Sequence, residues 1–298
     1  MGVTDGTARR GEGQGAPFAG EAIGAGMHPA LLGALACPKC HGQLVIADSI
    51  RCNSCGSQYP ASSGVPDFRV DRSAAEQGSE LEDWSHHWAS ENQELVSQRF
   101  FSFYRKAVFA RTVAHFIEKY FPRHGLLVEA GCGTSESSIR IAKHGGGRVL
   151  VAVDIVPSVV ARAHPVMDER LCGDVFRLPF RDQSIDGIWN VGVMEHFTHD
   201  RIDDMMREFR RVLRPAAPLL LLWPGTTSPP QRILRVLEKV IHLRGNDPGF
   251  RFHPPEISQL HSAREGRDVL ARNGFAELEI DGGPRSLFAF KTLVARRP

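Results

Sequence analysis

A chain of 298 residues with 42% hydrophobic positions is long enough for one large domain and a small one, and can bury a substantial core. Thirty-six Lys or Arg against 34 Asp or Glu leave a formal charge of +2, which excludes a uniformly basic surface for nucleic acid but not a local basic face. No apolar run is long enough to span a bilayer, and the Gly- and Ala-rich start lacks the basic and apolar order of a secretory signal, so the expectation is a cytoplasmic protein.

Residues 1–26, which include GTARRGEGQGAPFAGEAIGAG, hold almost nothing apolar enough to nucleate a core and are expected to be a disordered tail. Residues 27–70 follow as a small unit. Cys37-Pro-Lys-Cys40 and Cys52-Asn-Ser-Cys55 make two CxxC knuckles, each with a glycine shortly after the second cysteine, joined by a hairpin of Leu44-Val45-Ile46 and Ser49-Ile50-Arg51. Four thiolates converging from two such turns suit tetrahedral Zn²⁺ and leave no coordination position for a substrate. A unit this small buries little surface, so metal binding would supply its folding free energy and the expected role of the ion is structural. His41, beside the first knuckle, is expected to be exposed. The other two cysteines, Cys132 and Cys172, stand alone, and this usage points to a metal in a reducing compartment rather than to disulfides.

Residues 71–122 begin polar and linker-like to about Gly78. Two amphipathic helices are then expected, one around Leu81, Trp84 and Trp88 and one over Phe100 to Phe121, their aromatic stripes mostly packing. Residues 123–298 read as strand and helix in alternation. Leu126-Leu127-Val128 is an apolar run of the kind a buried parallel strand needs, and Glu129-Ala-Gly131-Cys-Gly133-Thr134 follows without a break. The glycines allow a tight turn and close approach of a ligand. Thr134 and Ser135 are expected to cap a helix carrying Ile139, Ile141 and Ala142, with its free backbone N–H groups toward that ligand. A second strand, Val149 to Val153, ends at Asp154, a carboxylate placed to accept both hydroxyls of a ribose.

Cys172-Gly-Asp174-Val175-Phe-Arg-Leu178-Pro179-Phe180 supplies an acid after a third strand, and Ser184 to Asn190 a fourth. Met205 to Leu213 is helical in spacing, and Arg214-Pro215-Ala216-Ala217-Pro218 turns into a fifth strand, Leu219 to Leu222. Such alternation implies parallel strands with helices on both faces and a ligand at the carboxyl ends of the strands. An insertion at 224–262, with a helix over Ile233 to Leu243 and a Gly/Pro-rich loop, is expected to cover substrate. A helix near Ala263 to Arg272 and strands Ala276 to Ile280 and Leu287 to Val294 complete the sheet.

From Leu126 to Leu222 the ordered segments EAGCGTS, AVD, GDVFRLPF and RRVLRPAAPLLLLWP resemble a class I S-adenosylmethionine-dependent methyltransferase. The fold implied is α/β, a seven-stranded Rossmann-like sheet whose last strand is antiparallel, behind a small N-terminal zinc ribbon. The resemblance places Glu129, Gly131 and Gly133 around the methionine and ribose of the cofactor, and Asp154 on the ribose hydroxyls. It places Asp174 and the Val175 backbone on adenine, and Asn190 near the sulfonium. It also makes Trp84, His87, Trp88 and Tyr104 candidates for a lid. Ala216 and Ala217 stand where the family usually has two glycines. LLGALACPKC and CGSQYPASSGVPDF, with Cys37, Cys40, Cys52 and Cys55, resemble the zinc-ribbon activator proteins of tRNA and release-factor methyltransferases. Two roles suit such a ribbon: packing on the large domain as a lid, or reading a macromolecular substrate.

If a general base is needed, His196 lies at the strand edge and is the first candidate, with His199, His253, His86 and His87 behind it. Glu195-His196 is similar to a pair that holds a divalent cation in ubiquinone-pathway O-methyltransferases, but Gly192 stands where a second acid would, and no metal is expected there. Asn190 is followed by Val-Gly-Val rather than by two prolines and an aromatic, which disfavours amino-methylation of nucleic-acid bases. The expected activity is methyl transfer to an O or N atom of a small molecule. Methylation of an rRNA or tRNA base, with the ribbon reading RNA, is the alternative, and a non-catalytic scaffold the third reading.

Overall fold

The structure, a computed structural model, describes residues 26–62, 65–70, 102–103, 105–225 and 256–298. A short helix α1 (Pro29–Ala34) precedes β1 (Leu44–Ile46), β2 (Ile50–Cys52) and β3 (Gln58–Tyr59), paired antiparallel in that order, and a two-residue ladder of β4 (Ala61–Ser62) with β5 (Val65–Pro66). One π-helical turn, Arg105–Phe109, leads into α2 (Ala110–Tyr120). The large sheet is built from β6 (Gly125–Ala130), β7 (Arg148–Asp154), β8 (Glu169–Cys172), β9 (Gly187–Val191), β10 (Pro218–Pro224), β11 (Ala276–Asp281) and β12 (Phe290–Arg296). Between them lie α3 (Pro157–Val160), α4 (His199–Val212) and α5 (Ala263–Arg272).

The strand order is β11-β12-β10-β9-β6-β7-β8, and β12 runs antiparallel to both its neighbours while β10, β9, β6, β7 and β8 pair in parallel. This is the expected α/β Rossmann-like sheet with its antiparallel last strand. Every residue of β7 and β10 is buried, as uninterrupted apolar runs such as Leu219–Trp223 require of strands covered on both faces. The chain order of the strands reverses between β6 and β9, the switch point at whose carboxyl ends open α/β sheets bind ligands.

The helix expected after the glycine turn does not form. Residues 131–147 cross from β6 to β7 with a single 3₁₀ turn, Glu136–Ser138, and Ser135 is not a cap but sits left-handed at φ 55°. The serines there bond to the sheet instead of continuing a helix: Ser137 Oγ donates to Glu129 Oε1 at 3.1 Å, and Trp189 Nε1 donates to Ser138 Oγ at 3.0 Å. His144, Gly145 and Gly146, all left-handed, then turn the chain into β7. The next crossover holds only the four-residue α3, and no α-helix lies between β8 and β9. Crossover helices of ten residues or more are therefore realised in the β9, β10 and β11 half of the sheet and not in the other, and both of them, α4 and α5, pack into one apolar cluster.

The N-terminal unit fills that deficit. Leu31, Leu35, Ile50 and Phe68 share one apolar core with Val128, Val151 and Leu171. The Ala36 amide donates to the Pro179 carbonyl at 3.0 Å, and the Phe68 amide to the Cys172 carbonyl at 2.8 Å, so the segment after β5 runs along β8 and pairs part of its open edge. Among the described residues no helix is long and apolar enough to cross a membrane.

Several expected boundaries move. Helix α4 begins at His199, six residues before the periodic stretch at Met205, and β12 begins at Phe290 because a 3₁₀ turn, Pro284–Ser286, and left-handed Leu287 and Phe288 precede it. The expected tail up to residue 25, the first amphipathic helix with Trp84, His86, His87 and Trp88, Tyr104, and the insertion helix over Ile233 to Leu243 with the loop that carries His253 lie outside the described residues.

Candidate functional site

At the end of β6 Glu129 is fully buried, and that burial pushes its carboxyl up to about 7 against the opposing pull of neighbouring serine hydroxyls. Gly131 follows at φ 72°, with its amide and that of Cys132 on the Val153 carbonyl at 2.9 and 3.0 Å. A Cβ on Gly131 would lie 2.6 Å from Val193 Cγ2, so the absent side chain lets Val193 pack against the turn. The Gly133 amide donates to Asp154 Oδ2 at 2.8 Å and the Val156 amide to Oδ1 at 3.0 Å. The carboxyl of Asp154 is buried and raised above its ordinary range by that burial, with backbone amides opposing the rise. Each of its oxygens has a second lone pair for a ligand hydroxyl.

On the neighbouring strands the Gly173 amide meets the Asp154 carbonyl at 2.9 Å, which brings buried Asp174 and Val175 to the same edge. Asp174 folds into a tight turn, accepting the Phe176 amide on Oδ1 at 2.9 Å. Asn190 is completely buried near the end of β9 and donates through Nδ2 to the Ala130 carbonyl at 3.0 Å, clamping β9 to the glycine turn. His196 closes a 3₁₀ turn, Met194–His196, with Nε2 at 3.8 Å from Glu195 Oε1. The structure thus gathers Glu129, Gly131, Gly133, Asp154, Asp174, Val175 and Asn190 at one edge of the sheet, with His196 on the turn just beyond.

Among the described residues four buried side-chain polar atoms have no hydrogen-bond partner: Glu129 Oε2, Ser135 Oγ, Asn190 Oδ1 and Glu195 Oε2. Buried polar atoms are nearly always bonded, and here the exceptions are confined to the glycine turn and the segment at and after the end of β9. Ser135 and Glu195 were not among the expected site residues. The signal for Glu195 was a lone acid inside the run Val193-Met194-Glu195-His196-Phe197; Ser135 offered none, since serine after a glycine turn reads as a cap.

The four cysteines of the N-terminal unit converge, with their sulfurs all within 4.8 Å of one another, at 3.7 Å for Cys37 to Cys55 and 3.5 Å for Cys40 to Cys52. A tetrahedron of Zn–S bonds of about 2.3 Å has sulfur edges of about 3.8 Å, so the donor set fits that ion. Around it the Ser54 amide donates to Cys52 Sγ at 3.3 Å, and the Tyr59 hydroxyl lies 3.0 Å from Cys37 Sγ. His41 is exposed, as expected.

Residues 128–221, from β6 into β10, match the family model described as a methyltransferase domain. Over that third of the chain it is similar to a methyltransferase domain. It is 30% identical over 119 residues to a protein of Encephalitozoon cuniculi (strain GB-M1) named as a methyltransferase, across 39% of this chain and 53% of that one. It is 33% identical over 69 residues to the malonyl-[acyl-carrier protein] O-methyltransferase of Herminiimonas arsenicoxydans, across 23% of this chain and 26% of that one. The chain therefore spans about half of the first of these relatives and a quarter of the second. In fold it is similar to the magnesium protoporphyrin IX methyltransferase of Synechocystis PCC 6803, with a TM-score of 0.51 and 18% identity over 76% of this chain and 100% of that one. All four unpartnered atoms lie within the matched residues, around the turn after β6 and at and just beyond the end of β9.

Proposed function

We propose that this chain transfers a methyl group from S-adenosylmethionine to an O or N atom of a small-molecule substrate. The observation that carries the reading is the set of buried atoms without a hydrogen-bond partner, Glu129 Oε2, Ser135 Oγ and Asn190 Oδ1, around the glycine turn, a polar cradle whose desolvation the neighbouring serines offset only in part. Bound there, the cofactor supplies an activated methyl carbon, and the protein has only to align an in-line displacement. Glu129, Gly131 and Gly133 hold the methionine and ribose, Asp154 the ribose hydroxyls, Asp174 and Val175 the adenine, and Asn190 the region of the sulfonium. Cys37, Cys40, Cys52 and Cys55 hold one structural Zn²⁺.

Calorimetric titration with S-adenosylmethionine and S-adenosylhomocysteine, with zinc quantified on the same sample, tests both assignments. Micromolar binding and about one zinc per chain are expected, with Asp154→Ala abolishing the binding and leaving the fold intact. A protein that binds neither compound is not this enzyme.

A second reading, an RNA substrate, is favoured by the charge around α2. Residues 105–148 contain eight Lys or Arg, of which Arg148 is buried, against three Glu, and Arg111, His115, Lys119, Arg140 and His144, with Glu118, line a concavity of about 750 Å³ beside α2. If RNA docks there, its affinity falls steeply between 50 and 200 mM salt, on the order of a thousandfold for several phosphate contacts. A small-molecule enzyme shows no such dependence.

A further inference from the structure

We propose that Glu195 is the proton acceptor of the transfer, its carboxyl facing the methyl group and the incoming nucleophile. The inference rests on the methyl-transfer reading above and adds to it a residue that the cofactor assignments leave unused.

Glu195 is 5% exposed, and its Oε2 has no partner among the described residues. The turn that carries it is held by other groups. The Ile257 and Ser258 amides donate to the Glu195 carbonyl at 2.6 and 2.9 Å, and Ser258 Oγ donates to the Met194 carbonyl at 3.1 Å. The carboxyl is therefore not what fixes the turn, and a carboxyl oxygen buried without a hydrogen-bond partner has a cost that a structural role does not repay.

Its position is set by Gly192. With φ at 69° this residue turns the chain back just after β9, laying Val193 against Gly131 and bringing Glu195 Oε1 to 3.3 Å from where a Gly192 Cβ would stand. Glu195 thus folds over the backbone two residues beyond Asn190, the side chain that clamps β9 to the glycine turn. Among the described residues, the charged or titratable groups facing it are Glu256 and His196, the latter with Nε2 at 3.8 Å. Burial, with Glu256 adding to it, pushes the Glu195 carboxyl up to about 8. That range suits an acceptor at neutral pH, and a cationic sulfonium nearby favours the ionised form.

The step balances without a further reagent. The lone pair of an O–H or N–H nucleophile forms the bond to the methyl carbon, the C–S bonding pair returns to sulfur, and the proton shed by the nucleophile passes to the Glu195 carboxylate.

The test needs no substrate. Sinefungin carries an amine-bearing carbon in place of the methylated sulfonium, so its ammonium stands where the methyl would, whereas S-adenosylhomocysteine has nothing there. Calorimetry on the full chain should give a preference of about tenfold for sinefungin over S-adenosylhomocysteine, the size of one charge-assisted hydrogen bond. In Glu195→Gln that preference should fall to roughly threefold or less with S-adenosylhomocysteine affinity unchanged. Glu195→Asp, which keeps a shortened carboxylate, should retain an intermediate preference and serves if the glutamine variant does not fold. Equal affinities in the wild type, or an undiminished preference in the variants, would overturn the assignment. A wild type that binds neither compound fails at the methyl-transfer reading itself, which is a distinguishable result.

Discussion

Ala216 stands exposed in the turn between α4 and β10 with φ 64°, its amide on the Arg297 carbonyl at 2.8 Å. The resembled family places glycine there, and the turn is kept with alanine in a conformation that costs an L-residue about 1–2 kcal/mol. Glycine also loses more freedom on folding, so Ala216→Gly should gain only about 0.5–1 kcal/mol, a rise in melting temperature of about 1–2 °C at this chain length. Cofactor affinity should not change, because the turn lies at the opposite end of β10 from the site. Glu129 and Glu195 make an opposite kind of demand on stability. Burial raises both carboxyls, to about 7 and about 8, so the native state holds protons that the unfolded state has already released. Stability therefore falls as pH rises from the unfolded carboxyl range toward 8. Thermal melts of the unliganded protein at pH 6 and pH 8 should show that loss, and Glu195→Gln should flatten it. An identical pH slope in the variant would mean that Glu195 ionises normally.

The strands were legible because burial on both faces demands unbroken apolar sequence, as in Leu126–Val128 and Leu219–Leu222, and α5 was legible at both ends because Ser262 caps it and Asn273-Gly274 stops it. The crossover after β6 was not, since Ile139, Ile141 and Ala142 fit a helical face, and nothing local shows that Ser137 and Ser138 will bond to Glu129 and Trp189 across the fold. The site was legible where a residue type is tied to backbone geometry, as at Gly131, and hidden where only three-dimensional proximity creates it, as at Ser135 and Glu195. Arg148 belongs to the second kind. It is fully buried at the start of β7 and donates to the carbonyls of Pro122 at 2.8 Å, Ala142 at 2.9 Å and Phe121 at 3.3 Å, and to Glu118 Oε2 at 3.1 Å. One guanidinium thus satisfies the end of α2 and ties down the helix-free crossover. Arg148→Met, similar in length and unable to donate, should cost roughly 3 kcal/mol by stranding those carbonyls, read as a lower midpoint in urea with an unchanged slope. A loss below 1 kcal/mol would show that water replaces the arginine there.

At the scale of the described molecule, the cysteine knuckles and the large sheet share an interior. Leu31, Leu35 and Phe68 occupy the face of the β6, β7 and β8 half where short crossovers leave room, and Tyr59 joins the same core while reaching Cys37. A ribbon on a tether would melt by itself and leave the sheet untouched; one whose side chains are part of the sheet's core cannot unfold without exposing Val128, Val151 and Leu171. Cys37→Ser should therefore release the metal and lower the stability of the entire described fold on the order of 4 kcal/mol, in one calorimetric transition rather than two. Two separated transitions, with the larger at the wild-type temperature, would make the N-terminal unit an independent domain. Unaltered metal content would remove Cys37 from the donor set. A single lowered transition means instead that the N-terminal unit does for this half of the sheet what crossover helices do for the other.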